Sequence, residues 1–243
     1  MSERFYTNSE LRPGPFQLQG HEAHHLAKAS RMRPGDRVCL FNGNGYEYPS
    51  RIDSIDKRSV LLEVECVDEA NRELPVTIDV ACPLPKGDRA QFLIEKLTEI
   101  GVTSFIPLQT ARSVVHPSDG KMEKLGRTVI EACKQCGRNK LMKLGKPERW
   151  ETICKDDDSN RIRLMAHPEE SDAKWSKVFS SINAKKNGFV VALGPEGGFT
   201  EEEVALGKRN GWQAVNLGER ILRIETAALV LVSWIIRTTE GTG

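Results

Sequence analysis

The residues best suited to chemistry lie in a glycine-rich segment that follows an apolar run, L193-G-P-E-G-G-F-T200. Glycine lacks a Cβ and is common where another group must approach the backbone closely. The spacing differs from the dinucleotide fingerprint and from the phosphate loop. Thr200 is the predicted N-cap of a helix whose first turn carries three glutamates, which would repel a phosphate. The segment therefore predicts a loop for a cationic or zwitterionic ligand, with an ordinary turn as the alternative.

A second irregular segment, N216-L-G-E-R-I-L-R-I-E-T-A-A228, also connects an apolar run to a helix. It carries Arg220, Arg223 and Glu225, and a third apolar run ends near His167. Ligands of open parallel sheets lie beyond the carboxyl ends of the strands, so the three segments are predicted to converge on one pocket. For each charged residue, the alternative is a surface ion pair or a helix cap.

The elements that must position these segments alternate along the chain. The predicted strands after residue 75 span 76–82, 103–108, 161–165, 189–193 and 214–217. The predicted helices between and after them span 87–100, 119–137, 171–182, 201–210 and 225–238. This alternation predicts parallel β-α-β units and an α/β domain. Short strands separated by turns over 37–67 predict a smaller β-rich unit, with the domain boundary near residue 74.

Composition limits the function classes. The chain has 243 residues, 39% of them hydrophobic, and a formal net charge of +1, so a nucleic acid would have to be bound by local clusters of charge. Neither a membrane-spanning run nor a signal-peptide pattern is present, so we expect a cytoplasmic protein without membrane contact. Cys133-Lys-Gln-Cys136 lacks a second cysteine pair, so reduced thiols without a metal are expected and zinc is the alternative.

One local cluster of charge lies near the N-terminus. The run H21-E-A-H-H-L-A-K-A-S-R-M-R-P-G-D36 holds three histidines together with Lys28, Arg31 and Arg33 within about four helical turns. It predicts either a face that contacts phosphates or a solvated helix face.

Two segments near the C-terminus, L193-G-P-E-G-G-F-T200 and L217-G-E-R-I-L-R-I-E-T-A-A-L229, together resemble the bacterial 16S ribosomal RNA (uracil-N3)-methyltransferase family of the trefoil-knotted SPOUT superfamily. H24-H-L-A-K-A-S-R-M-R-P-G-D36 and F41-N-G43 resemble its N-terminal RNA-binding domain. The segments 86–101, 111–115 and 131–138 resemble its catalytic domain, so the likeness covers nearly the whole chain. One departure is the segment 139–145, where the family pattern has a proline.

The resemblance implies a PUA-like RNA-binding β-barrel over residues 1–74 and a SPOUT methyltransferase domain over 75–243, with a parallel sheet and a deep trefoil knot. It implies S-adenosylmethionine as methyl donor, 16S ribosomal RNA within the small ribosomal subunit as partner, and a homodimer. The implied cofactor-binding residues are Met165, His167, Leu193, Gly194, Pro195, Glu196, Gly197, Gly198, Leu217, Gly218, Ile221, Leu222 and Thr226. The implied RNA-binding residues are Arg4, His25, Lys28, Arg31, Arg33, Arg112 and Arg138.

The implied reaction joins the methyl group to N3 of a uridine. That nitrogen is protonated at neutral pH, so we expect Glu225 to act as a base and Arg223 to stabilise the uracil anion. A relative that methylates the ribose 2′-hydroxyl is one alternative, although such relatives carry asparagine and serine where this chain has R223-I-E-T-A. A ribosome-assembly factor without catalytic activity is a second alternative. A nicotinamide-dependent oxidoreductase is a third, and it lacks the fingerprint spacing.

Overall fold

The structure is a computed structural model that describes residues 3–28, 32–114, 117–156, 160–167 and 188–240. The chain forms two compact units. Unit 1 comprises Met1–Glu73 and Ile130–Leu141, and unit 2 comprises Leu74–Val129 and Met142–Gly243. The chain thus returns to unit 1 after unit 2 has begun, which the predicted boundary near residue 74 does not anticipate.

Unit 1 is built on a five-stranded sheet. Its strands are β1 (Arg4–Tyr6), β2 (Gly14–Gln19), β3 (Arg37–Phe41), β4 (Tyr48–Ile55) and β5 (Ser59–Val64). The strand order is β1-β3-β4-β5-β2, and only the β1–β3 pair is parallel among these ladders. Alternate residues of β4 and β5 are buried, as expected for strands with one face on a core. The predicted β-rich N-terminal unit is therefore confirmed, with β1 and β2 added to it.

One helix of unit 1 lies among these strands in the chain, α1 (Gly20–Lys28). Its buried Ala23 and Leu26 join Phe5, Leu18 and Leu62 in the core. The helix ends before Arg33, so the histidine- and arginine-rich run is not one continuous helix.

The returning segment 130–141 is held in unit 1 by ion pairs and amide contacts. The Arg138 guanidinium donates two hydrogen bonds to the Glu73 carboxylate, from Nε at 3.1 Å and Nη2 at 2.6 Å. Asn139 donates to the Ala70 carbonyl at 3.0 Å and accepts from Arg4. Glu47 accepts from both Arg4 and Arg72. The side chains of Arg4, Glu47 and Arg138 are largely buried, and each is paired within unit 1, as burial of a charge requires.

Unit 2 is built on an all-parallel sheet of short strands. They are β6 (Thr77–Cys82), β7 (Ser104–Gln109), β8 (Lys143–Leu144), β9 (Glu148–Arg149), β10 (Arg161–Ala166), β11 (Gly188–Leu193) and β12 (Gln213–Val215). The order is β12-β10-β11-β6-β7-β8, with β9 paired to β7. The predicted α/β class with a parallel sheet is confirmed. The knot stays a prediction.

The remaining helices are α2 (Arg89–Glu99), α3 (Asp119–Cys136), α4 (Trp150–Lys155), α5 (Glu201–Arg209) and α6 (Ile224–Glu240). Helix α4 and strands β8 and β9 escape sequence analysis because they are too short to show a period. The predicted helix over 171–182 lies outside the described residues. Trp150 and Trp212 are buried together with Phe199, so one aromatic cluster supports both α4 and α5.

No helix in the described ranges is long and apolar enough to cross a membrane. Within the same ranges, no group of three or more His, Cys, Asp or Glu side chains is arranged to hold a metal ion. Cys133 is buried, Cys136 is partly exposed, and neither is joined in a disulfide.

Candidate functional site

The parallel strands bring the predicted site segments to one edge of the sheet of unit 2. Strands β10, β11 and β12 lie side by side, and β6 and β7 follow next to β11. His167 comes directly after β10, Gly194 after β11 and Asn216 after β12. Because parallel strands end at the same edge, these three segments lie at the carboxyl side where α/β proteins bind ligands.

The glycine loop after β11 is shaped by close backbone approach. A Cβ on Gly194 would lie 2.9 Å from the Gly198 carbonyl carbon and from the Phe199 nitrogen, so no larger residue fits there. Gly198 adopts a φ of +67°, a conformation that favours glycine. The loop is closed by a hydrogen bond from the Gly198 N–H to the Pro195 carbonyl at 2.8 Å. The conformation of the loop therefore requires glycine at positions 194 and 198. At the third glycine, the Arg112 guanidinium donates a hydrogen bond to the Gly197 carbonyl.

One of the glutamates at the start of α5, Glu203, has an intramolecular role. Thr200 and Glu203 form a capping box, in which the Thr200 hydroxyl accepts from the Glu203 N–H at 3.2 Å and Glu203 Oε2 accepts from the Thr200 N–H at 2.8 Å. Glu203 Oε1 accepts from the Ala111 N–H at 2.8 Å. Glu203 thus fixes the loop after β7, and hence Arg112, against the glycine loop. Its carboxylate is already bound, so it is not evidence about the ligand's charge.

The end of β10 contributes one core residue and one polar residue. The Met165 side chain is fully buried and packs in the cluster around Trp150, so its side chain supports the sheet. The His167 N–H donates to the Val215 carbonyl at 2.9 Å, which joins the ends of β10 and β12. Its Nδ1 atom is buried without a hydrogen-bond partner among the described residues. An unpaired buried ring nitrogen is costly unless a ligand satisfies it.

The loop after β12 is ordered at its start and open at its tip. The Gly218 N–H donates to Asn216 Oδ1 at 2.7 Å, and Gly218 has a φ of +111°. Ile221 is fully exposed, whereas the neighbouring Leu222 is partly buried. Two other predicted cofactor residues lie in this region: Leu217 is partly buried, and Thr226 is exposed.

Glu225 is the buried acid of this edge. It lies in the first turn of α6 with 6% of its surface exposed, and its Oε2 atom has no hydrogen-bond partner among the described residues. Its Oε1 atom lies 3.7 Å from Nη1 of Arg89. Burial, and then the Glu225 charge, raise the pKa of the Cys82 thiol, which therefore stays neutral. Arg223, the predicted anion stabiliser, is exposed two residues before it.

The predicted RNA-binding residues are divided by their surroundings. Arg4 and Arg138 are buried in the ion-pair network of unit 1, so neither presents a guanidinium to a phosphate in this structure. The ring of His25 packs near Phe5 and His21. Arg33 and Arg112 are exposed. Arg31 and the side chain of Lys28 lie outside what the structure describes.

Sequence analysis missed two features of these surfaces. Arg89 links the carboxylates of Glu196 and Glu225. The sequence signal for Arg89 is its place in the segment 86–101, which resembles the catalytic domain of the family. A shallow depression of unit 1 is lined by Gln17, Gln19, Gly20, His24, Lys57, Arg58 and Ser59. The sequence signal for this depression is the pair of basic residues in the predicted D56-K-R-S59 turn.

Comparison with known proteins identifies the family. Residues 72–236 match the model of the RNA methyltransferase domain, and residues 18–65 match that of the RNA methyltransferase PUA domain. The chain belongs to this RNA methyltransferase family. It is 34% identical to the ribosomal RNA small subunit methyltransferase E of Bacillus subtilis over 96% of this chain and 94% of the relative.

Solved structures agree with the family assignment. A methyltransferase from Legionella pneumophila in complex with S-adenosylmethionine is 31% identical and matches with a TM-score of 0.87, over 98% of this chain and 97% of the other. The ribosomal RNA small subunit methyltransferase E of Neisseria gonorrhoeae, bound to S-adenosylmethionine, is 29% identical and matches with a TM-score of 0.88, over 98% of each chain. Both matches extend over the residues of unit 1 and of unit 2.

Proposed function

We propose that the chain transfers a methyl group from S-adenosylmethionine to N3 of a specific uridine in the RNA of the small ribosomal subunit. The observation that carries this proposal is the buried Glu225 carboxylate, whose Oε2 atom is unpaired at the carboxyl edge of the sheet. N3 of a uridine must lose its proton in the reaction, and the methyl donor supplies no group that accepts it. A base at this edge of the sheet is therefore required. The relatives named above support the donor and the class of acceptor.

The residues of the edge fit a donor that is a zwitterion with an additional positive charge. Gly194 and Gly198 shape a loop that exposes backbone groups, and His167 and Glu225 each carry a buried atom without a partner. The loop residues around Gly194, the end of β10 and the 217–222 segment would hold the donor. When bound, S-adenosylmethionine supplies a methyl group already activated by its sulfonium sulfur.

The protein's own contribution is to hold the reactants and to move one proton. Glu225 Oε2 would accept the proton of N3, which would leave a lone pair on that nitrogen for the new N–C bond; the methyl–sulfur bond of the donor would break, and its electron pair would stay on sulfur. Arg223 is exposed and can approach the oxygens of the uracil anion. Cys82, a neutral buried thiol beside Glu225, excludes water without competing for the proton.

The RNA-binding surface that we propose for unit 1 follows from its exposed basic groups. Arg33 is exposed, and the depression with His24, Lys57 and Arg58 adds further donors for phosphates. Changing Lys57 and Arg58 to Ala is expected to reduce the log–log salt slope of RNA binding by roughly one to two units. The affinity for S-adenosylmethionine should not change.

We also propose that the protein is a cytoplasmic homodimer that acts within the small subunit. Val114 and Ile221 of unit 2 expose large apolar side chains, which a second copy could cover. Light scattering of the wild type and of Ile221→Asp measures the mass directly.

The function is tested by methylating small ribosomal subunits from cells that lack the gene. A methyl group on N3 blocks the Watson–Crick edge, so primer extension should stop at one uridine after treatment with protein and S-adenosylmethionine. A 2′-O-methyl group leaves that edge free, so incorporation of label without a stop would favour the ribose alternative. Binding of the donor with no incorporation of label would favour an assembly factor. Calorimetry with Gly194→Ala, against the unhindered Gly126→Ala as control, tests the loop.

A further inference from the structure

Arg89 is a cation placed between two carboxylates of the candidate site. Its Nη1 atom lies 3.7 Å from Glu225 Oε1, and its Nη2 atom lies 3.8 Å from Glu196 Oε1. Glu225 is buried, whereas the Glu196 side chain is 59% exposed in the glycine loop. One guanidinium therefore connects the glycine loop to the first turn of α6.

The position of Arg89 is unfavourable for its own helix. Arg89 is the first residue of α2, where the helix dipole disfavours a positive charge. The first turn contains no acidic residue, and the preceding Asp88 makes no side-chain capping hydrogen bond. Local helix stability does not explain an arginine here, so its reason lies in the groups that it faces.

Within the described residues, Arg89 is the cation that faces Glu225. Among the described elements, α2, β6 and β11 pack most closely against α6. From β6, Cys82 is a neutral thiol, and Asp79 is bound by Arg161. Strand β11 carries no charged side chain. The other charged residues in the body of α2 pair with one another as Glu95, Lys96 and Glu99.

We propose that Arg89 is a positioning residue that holds the Glu225 carboxylate through Oε1, so that Oε2 is free to take the acceptor's proton. Glu196 competes for the same guanidinium and thereby couples the glycine loop to Glu225. The inference rests on the proposed role of Glu225 as the base.

The first experiment measures the coupling without any donor or RNA. Urea unfolding of wild type, Arg89→Gln, Glu225→Gln and the double variant forms a double-mutant cycle. We expect a coupling on the order of tenfold in the unfolding constant at pH 8, because Arg89→Gln leaves a buried carboxylate without its cation. The cycle of Arg89 with Glu196 should give a smaller coupling, since Glu196 is exposed. A coupling indistinguishable from zero between positions 89 and 225 would overturn the proposal.

The second experiment measures single-turnover methyl transfer against pH. Arg89→Gln should lower the rate about tenfold at neutral pH and move the acid limb of the profile to higher pH, because a buried carboxylate without a cation retains its proton longer. Arg89→Lys should restore part of the rate, and Glu196→Gln should not move the limb to higher pH. Lys96→Gln removes the same charge from the same helix and is the control.

The two experiments separate this inference from the proposed function. An unshifted profile for Arg89→Gln, together with a slow Glu225→Gln, would overturn the positioning role and leave Glu225 as the base. A Glu225→Gln variant with the wild-type rate would remove the base itself, and the positioning role with it, even if the unfolding cycle shows coupling.

Discussion

Two glutamates of unit 2 occupy the same kind of position and differ in their bonding. Glu203 and Glu225 lie in the first turns of α5 and α6, and each has 6% of its surface exposed. Both oxygens of Glu203 accept backbone N–H groups, whereas Glu225 leaves Oε2 without a partner among the described residues. Burial of an acid at a helix start therefore does not reveal its role. What separates a structural cap from a candidate base is whether its lone pairs are already used.

The largest effect is expected from Glu225→Gln. Gln keeps the size of the side chain but cannot take a proton, so the single-turnover rate should fall by about 10²-fold or more. Stability should change little, because removal of a buried charge offsets the loss of the ion pair with Arg89. Higher pH should partly restore the rate, since hydroxide can deprotonate N3. A near-normal rate with an unchanged pH profile would make Glu225 a second structural acid, like Glu203.

Glu203→Ala should show the opposite pattern. The variant removes an acceptor from the N–H groups of Ala111 and Thr200, so the free energy of unfolding should fall by about 2–3 kcal/mol. Urea unfolding measures this change. Assayed well below its melting temperature, the variant should lose less of its methyl-transfer rate than Glu225→Gln. A stable variant with a 10²-fold slower rate would contradict the assigned capping role.

Thr200→Ala should have a smaller effect on the same helix. Its hydroxyl accepts one hydrogen bond, from the Glu203 N–H, and loss of such a cap costs about 1 kcal/mol. Thermal unfolding of Thr200→Ala and Thr200→Ser measures it. Serine keeps the hydroxyl and should retain most of the stability; equal losses in both variants would show that the methyl group of threonine, and not the cap, is responsible.

The smallest effect is expected at Glu202, the exposed neighbour. Hydrogen bonds from its own backbone N–H and from Thr200 lower the pKa of its carboxyl. A lowered pKa contributes stability above the unfolded value of about 4.3, and this contribution is lost as the pH falls through the folded value. Glu202→Gln should therefore differ slightly from wild type at pH 7 and converge with it in acid. A difference that grows on acidification would contradict the direction of the shift.

The order of elements in unit 2 could be predicted because strand and helix periods differ, and most predicted bounds agree with the structure to within two residues. The convergence of the three loops also followed from the parallel strands. The pairing of Arg89 with Glu225 could not be predicted, because the two residues are 136 positions apart (225 minus 89) and no local pattern relates them. The burial of Arg138 against Glu73 is of the same kind, since an arginine in a family motif looks identical whether it meets a carboxylate or a phosphate.

The return of residues 130–141 to unit 1 has a consequence for the growing chain. Glu73 emerges from the ribosome well before Arg138, its bidentate partner, and Ala70 precedes Asn139 by a similar interval. The first 74 residues can thus collapse around their strands but cannot complete their polar interior during synthesis until more than half of the chain has been made. A fragment cut at residue 74 would carry Glu73 without its partner Arg138. The N-terminal sheet therefore belongs to a compact unit that the first 74 residues alone do not complete.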